Sequence, residues 1–372
     1  MKDRRQDISP RMRPFRFAVL ALAALVVLSL GFALNPAERP APAEPPFTER
    51  ARAAAFSDAM DLRTAGMELA AAGAADSAVL DPVVTLLTIQ ARALLSPATG
   101  RAPESAPASP SASSTPGLYG TAQLIQALAN SGAARVKDAE TADGGMARLL
   151  AGAGTAQLLA AGRLAAAAGV PAPQEPAGPD AKGSGAAATA SPCPSPSASA
   201  AAQEAGGPRT PAGMRQALAA AVTAEDQAVY GYQAALPRLA PAEAGTASEF
   251  LDRHKELATE AEERLRLACG ASVPQAPGYV LDAGFLAGPA AGLGNLEAAT
   301  LASYGDVVAV SQGQDRRWAL SALRAAAGRA LRWGADPGPV PGLSLDTGQL
   351  PALPAGGGFP AGTDPTPSAA GS

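Results

Sequence analysis

The chain has 372 residues, a formal net charge of −4 and an aromatic content of 4%. This length allows two ordinary domains together with unstructured segments. No basic face accumulates beyond the first residues, so no nucleic-acid partner is expected. Gly and Pro are abundant, and no run of β-branched and aromatic residues alternates with a period of two. The composition therefore fits helical segments better than a sheet protein and predicts an all-α fold.

The N-terminus predicts a membrane anchor. Residues 1–16 are rich in Arg, and the uncharged apolar run 17–34 follows them. That run is long enough to cross a bilayer as a transmembrane helix, and the basic end stays in the cytoplasm. No small-x-small cleavage site follows closely, which favours an uncleaved signal anchor over a cleaved signal peptide. We therefore expect a single-pass protein of the cell membrane whose bulk is extracytoplasmic, or a secreted protein if the signal is cleaved.

Residues 48–169 predict a helical body of their own. Asp81 followed by Pro82 marks a helix N-terminus, and glycines in the last segment leave open a break within it. The segments are 48–73, 82–95, 118–132 and 136–168. The short or flexible connections between these segments favour an antiparallel helical bundle, and a membrane-proximal helical stalk is the alternative.

The C-terminal part predicts a second bundle between two disordered segments. Residues 170–213 and 346–372 are rich in Pro, Ala, Ser and Gly and lack periodicity, so they predict a disordered linker and a disordered tail. Residues 214–345 contain four amphipathic helices, and the second is expected to end at a C-terminal glycine after Cys269. Their predicted bounds are 214–236, 246–269, 292–312 and 315–334. The long connection 270–291 is what a crossover between two helical hairpins requires.

Polar side chains interrupt the apolar stripes of these helices. Glu225 and His254, which is the only histidine of the chain, lie among apolar positions, and Glu297 lies beside them. Because a buried charge needs a partner, we predict a buried polar cluster. Its predicted members are Glu225, His254, Glu297, Tyr232, Tyr304 and Arg329. An alternative places Glu297 at a helix N-terminus, where the helix dipole favours a carboxylate.

Three segments are similar to one known family: Leu218–Tyr232, Asp252-Arg253-His254, and the stretch from Trp333-Gly334 to Leu343. They resemble the ferritin-like domain-of-unknown-function proteins of actinobacteria over about residues 214–345. The resemblance implies a ferritin-like four-helix bundle on an exported or membrane-tethered protein, with no established activity.

The metal site of such a bundle is incomplete in this sequence. Ferritin-like di-metal centres use a Glu from each of two helices and a Glu-x-x-His from each of the other two. Leu251 stands three residues before His254, and the fourth helix has no carboxylate or histidine from Arg316 to Ala335. We therefore expect no metal and no other cofactor.

These observations favour a non-catalytic binding or structural role at the cell envelope, with an unidentified partner. One alternative is a metal-binding oxidoreductase or storage bundle that uses Glu225, His254 and Glu297. Another is a small-molecule carrier with a pocket near Tyr230, Tyr232 and Tyr304.

The two cysteines, Cys193 and Cys269, are too few for a disulfide framework or a zinc site. A disulfide between them fits an oxidising compartment, and two unpaired thiols are the alternative.

Overall fold

The computed structural model describes residues 17–25, 44–73, 77–95, 120–173 and 210–354. Within these ranges the protein is all-α without a strand, which confirms the predicted class. The chain divides into two units, Met1–Glu44 and Pro45–Ser372. In the first unit, residues 17–25 of the predicted anchor are helical and exposed. The remainder of that anchor, the basic segment 1–16 and most of the predicted linker, 174–209, lie outside the described residues.

The second unit contains the helices of the folded body. They are α1 (Phe47–Ala71), α2 (Ser77–Leu95), α3 (Thr121–Ala139), α4 (Gly144–Ala167), α5 (Pro211–Ala235), α6 (Pro241–Leu267), α7 (Ala283–Ala287), α8 (Pro289–Val310) and α9 (Gly313–Arg332). A short 3₁₀ turn, Leu236–Arg238, joins α5 to α6.

Two predicted helix starts lie too late in the sequence, and that of α4, predicted at 136, lies too early. Helix α2 begins at Ser77, and Pro82 lies inside it instead of at its first position. A proline so near a helix N-terminus removes only one amide donor, so the helix tolerates it. Helix α6 begins at Pro241, because a proline at the first helical position has the backbone angle that a helix needs.

The predicted segment 136–168 is broken once, directly before Gly144, and the glycines further along α4 do not break it. The break falls between Ala139 and Gly144, and α4 is then continuous. A Cβ atom at Gly154 would lie 2.5 Å from the carbonyl oxygen of Gly132 on α3. The glycines therefore allow the two backbones to approach closely, and packing offsets their low helix propensity.

Helices α5, α6, α8 and α9 form a bundle of two antiparallel hairpins. Tyr232 on α5 contacts Glu297 on α8, and Glu225 contacts Tyr304, so α5 and α8 run in opposite directions. Helix α6 is antiparallel to α5, so it must run in the same direction as α8. The connection from α6 to α8 therefore returns along the length of the bundle, as a crossover does.

Helices α1–α4 pack against this bundle through α4, which contacts α8 and α9. One hydrophobic core contains buried residues from both regions, including Leu150 on α4 and Val308 on α8. The buried Arg316 of α9 donates to the carbonyl of Ala142, between α3 and α4, at 2.7 Å. The two regions therefore form one packed body, a contact that the sequence did not predict.

The C-terminal segment (residues 335–354) lies against both regions. Gln90 donates to the carbonyl of Pro339 at 2.8 Å, and Arg92 donates to that of Pro351 at 2.9 Å. Val340 is buried. Part of the stretch 346–354, predicted as disordered, is thus held by Arg92 of α2, which donates to backbone carbonyls at Leu350 and Pro351. The remaining tail, 355–372, lies outside the described residues.

By length and composition alone, two described helices could span a membrane: α2 over Ala78–Leu95 and α4 over Gly144–Ala167. Of α4, 72% is buried inside the folded body, as in a core helix of a soluble protein.

Candidate functional site

Each long helix of the second bundle contributes one charged side chain to a common interior site. Glu225 comes from α5, His254 from α6, Glu297 from α8 and Arg329 from α9. The first three are 0% exposed, and Arg329 is 5% exposed. Such burial requires that each charge be compensated within the site. We call these four side chains the charge cluster.

His254 lies between the two carboxylates of the charge cluster. Its Nδ1 is 2.7 Å from Oε2 of Glu225, and its Nε2 is 2.9 Å from Oε1 of Glu297. An ionised carboxylate only accepts hydrogen bonds, so each ring nitrogen must carry a hydrogen. With both carboxylates ionised, the side chain of His254 is an imidazolium ion, and the charge cluster then has two negative and two positive members.

Glu297 is the most heavily bonded acceptor of the charge cluster. Its Oε1 atom accepts from Arg329 Nε at 2.8 Å and from the Tyr232 hydroxyl at 2.6 Å, as well as from His254. In contrast, Glu297 Oε2 and Arg329 Nη2 are buried without a hydrogen-bond partner among the described residues. The guanidinium is thus bound through one contact instead of the two parallel contacts that it makes at its best.

Aromatic side chains close the site at both ends. The hydroxyl of Tyr304 donates to Glu225 Oε1 at 2.6 Å, and Trp333 Nε1 donates to the hydroxyl of Tyr232 at 2.6 Å. Tyr232 also packs against the His254 ring, with 5.0 Å between ring centroids. The two tyrosine hydroxyls thus satisfy Glu225 Oε1 and Glu297 Oε1, while Glu297 Oε2 has no partner among the described residues.

The pKa values reflect this environment. Burial by itself lowers the pKa of His254, but the hydrogen bonds with Glu225 and Glu297 raise it above its ordinary value. Burial would raise the pKa of Glu297, yet the hydrogen bond with His254 and the charge of Arg329 lower it. Burial also raises the pKa of Tyr304, and the negative charge of Glu225 adds to this effect. The shifts of His254 and Glu297 both favour the charged forms of these two side chains.

The donor set does not fit a metal ion. Ligands of one ion must converge on a point. Glu225 and Glu297 face different nitrogens of the His254 ring, and Oε1 of Glu297 already accepts a hydrogen bond from Arg329. One ion could therefore not reach all three predicted ligands. In the part of the chain that the structure describes, no group of three His, Cys, Asp or Glu side chains could hold a metal ion.

The cavities lie apart from the tyrosines that a carrier would use. A groove of about 250 Å³ lies between α5 and α8, and one of about 260 Å³ lies at the end of α6. Neither is lined by Tyr230, Tyr232 or Tyr304. Tyr230 packs instead edge-on against Tyr279 of the crossover, with 5.7 Å between centroids.

All six residues of the predicted polar cluster meet at this site. Glu297 is buried in the middle of α8, so its alternative placement at a helix N-terminus is wrong. The sequence missed Trp333, which follows the last residue of α9 and lies outside any helical stripe. Its indole N–H, which needs an acceptor when buried, was the one available signal.

The C-terminal end of α6 differs from expectation, and Cys269 agrees with the predicted alternative of a disulfide. Cys269, and not Gly270, adopts the left-handed conformation, with φ 57°. Gly270 is required for space, since a Cβ there would lie 2.1 Å from Leu265 Cδ1. Cys269 is disulfide-bonded, and the only other cysteine of the sequence, Cys193, lies outside the described residues.

Residues 217–345 match the model of a protein family described as Domain of unknown function (DUF4439). The match extends from α5 through α9 into the C-terminal segment. The matched residues nearly coincide with 214–345, over which a resemblance to a domain-of-unknown-function family was predicted. No curated protein and no solved structure matches the chain.

Proposed function

We propose that the protein is a membrane-anchored envelope protein with a non-catalytic binding or structural role, and that residues 214–345 are a ferritin-like domain without its metals. The observation that carries the proposal is the charge balance of the buried cluster. Its two carboxylates are neutralised by His254 and Arg329, both of which are side chains of the protein itself.

The positions of these residues support the ferritin-like assignment. Glu225 on the first helix and Glu297 on the third match the pattern of one Glu from each of two helices. The second helix has His254 at the histidine position of Glu-x-x-His, with Leu251 in place of the Glu. On the fourth helix Arg329 takes the histidine position, and Ala326 stands three residues before it.

These substitutions fit a domain in which side-chain cations replace metal ions. Leu251 and Ala326 remove two negative charges, and the guanidinium of Arg329 adds a positive one. The protonated ring of His254 supplies the other positive charge. A buried site that is neutral without metal has no electrostatic need to recruit ions. The cluster then fixes the relative positions of the four helices, and a partner would bind to the surface of the domain.

The exported location rests on two independent features. The basic segment 1–16 and the apolar run 17–34 have the charge and length of a signal anchor. The disulfide at Cys269 is of a kind that persists in oxidising compartments and is rare in the cytosol. Protease treatment of intact cells tests this assignment. It predicts digestion of the body from outside, and protection until the cells are lysed would contradict it.

Metal binding by the full chain tests the loss of the metal site. Calorimetric titration with Mn²⁺, Fe²⁺ and Zn²⁺ should give no stoichiometric binding that depends on the charge cluster. The triple variant Leu251→Glu, Ala326→Glu, Arg329→His restores the ferritin-like ligand pattern and serves as the positive control. We expect it to bind metal and to gain thermal stability when metal is added. Stoichiometric binding to the natural chain, abolished by His254→Ala, would contradict the proposal.

A further inference from the structure

The helices before the family domain repeat its order of elements. Helices α1 and α2 form one hairpin and α3 and α4 another, as α5 with α6 and α8 with α9 do. A long connection separates the two hairpins in each case, 96–120 in the first bundle and 268–288 in the second. The family match begins only at residue 217 and does not include α1–α4.

The directions of the first four helices follow from contacts between them. Arg52 near the start of α1 donates to the carbonyl of Leu94 at the end of α2, so these helices are antiparallel. Asp58 of α1 binds Arg135 of α3. Thr48, earlier in α1, donates to Asp143, which follows the end of α3.

Helix α3 is therefore antiparallel to α1, and α2 and α3 run in the same direction. This is the relation between α6 and α8 in the second bundle.

We propose that residues 47–167 are a second copy of the topology of residues 211–332, and that this copy is the built-in partner of the α8–α9 face. Helices α1, α2, α3 and α4 then correspond to α5, α6, α8 and α9. The first copy covers an apolar face of the family domain, which an isolated domain would expose.

The interior of the first bundle supports the correspondence. Gln90 lies on α2, the helix that corresponds to α6 and its His254. It is fully buried, and its Oε1 accepts from Gln157 Nε2 on α4 at 2.8 Å. In both bundles the second and fourth helices place a polar side chain in the interior, although His254 and Arg329 bind the acids of the other two helices and not each other. The first copy has neutral amides where the second has His254 and Arg329, and its first and third helices have no matching buried acids.

The contact between the bundles is specific. Helix α4 approaches the C-terminal segment at Gly152, where a Cβ would lie 2.5 Å from Val340. Arg148 of α4 donates to the carbonyl of Gly342 at 2.6 Å and pairs with Asp306 of α8. Small side chains and bonded arginines of this kind make an interface that another helix bundle could not fill without the same features.

An experimental structure of the full chain tests the duplication. The expected result is that α1–α4 superpose on α5, α6, α8 and α9 in that order and direction, with both long connections on the same side. A superposition that requires reversed helices, or connections on opposite sides, would overturn it.

Hydrogen exchange of two full-length variants tests the pairing. Arg316→Glu places a carboxylate against the carbonyls of Ala139 and Ala142, which the guanidinium now binds. We expect exchange in α4 and α8 to rise about tenfold or more, because losing a buried charged contact shifts local opening by at least that factor. Arg317→Glu, at the exposed neighbouring position, should leave exchange unchanged. If Arg316→Glu does not fold, Gly152→Leu replaces it. Unchanged exchange in the folded interface variant would refute the pairing.

Discussion

Removing one member of the charge cluster should destabilise the protein more than removing a matched pair. Arg329→Met leaves two carboxylates with one imidazolium, and Glu297→Gln leaves two cations with one carboxylate. Loss of one partner of a buried ion pair costs about 3–5 kcal/mol, because the other charge stays buried without compensation. We therefore expect each single variant to lose about that much free energy of unfolding.

The double variant Glu297→Gln, Arg329→Met restores neutrality, since Glu225 and His254 then balance each other. The double variant should lose less free energy of unfolding than the two single variants lose together. The difference should be about 2–3 kcal/mol, near the upper end of measured pair couplings. Guanidinium unfolding followed by circular dichroism gives all these values. The exposed pair Glu263 and Arg266 is the control, and equivalent changes there should show no coupling. Additive losses within the charge cluster would refute the reasoning.

Further outcomes follow from the same structure. Because folding raises the pKa of His254, its contribution to stability is complete below the unfolded pKa of about 6.5 and is lost as the pH rises through the folded pKa. Because folding lowers the pKa of Glu297, its contribution is complete above the unfolded pKa of about 4.5 and is lost as the pH falls through the folded pKa. Stability measured against pH should thus have a plateau between these limits, and His254→Gln should remove the alkaline decline; a monotonic profile would contradict this. Gly154→Ala should cost about 1–3 kcal/mol by overpacking, whereas Gly162→Ala on the same helix, with nothing within 4 Å of its Cβ, should not destabilise the protein in thermal unfolding; equal effects would contradict the close helix approach. Non-reducing peptide mapping should recover Cys269 linked to the other cysteine of the chain, and free thiols at both would exclude the disulfide.

The sequence could predict the charge cluster because helical periodicity places side chains on faces. Glu225 and His254 stand on apolar stripes, and burial of a charge demands a partner. The same pattern could not show that Glu225 and Glu297 would meet opposite nitrogens of one ring, since that depends on the tilt and separation of three helices. Trp333 was not predicted as part of the site, because it lies just after the end of α9 and has no place in a helical pattern.

The union of the two helical regions was not predictable from local composition. The long segment rich in Pro, Ala and Ser between them is typical of a flexible spacer, and spacers usually separate domains. The contacts that join the regions come from single side chains such as Arg316 and Arg148, which bind backbone carbonyls far away in the sequence. Glycine has a low helix propensity, so the sequence suggested a possible helix break near glycines such as Gly154. In the fold, Gly154 instead allows α3 and α4 to pack closely.

The protonation state of His254 tests the central claim most directly. It is the only histidine of the chain, so its ring nitrogens give an unambiguous signal in ¹⁵N NMR of labelled full-length protein. At neutral pH both nitrogens should be protonated, and adding Mn²⁺ or Zn²⁺ should leave their signals unchanged. A neutral ring whose signal shifts or broadens with stoichiometric metal would contradict the account.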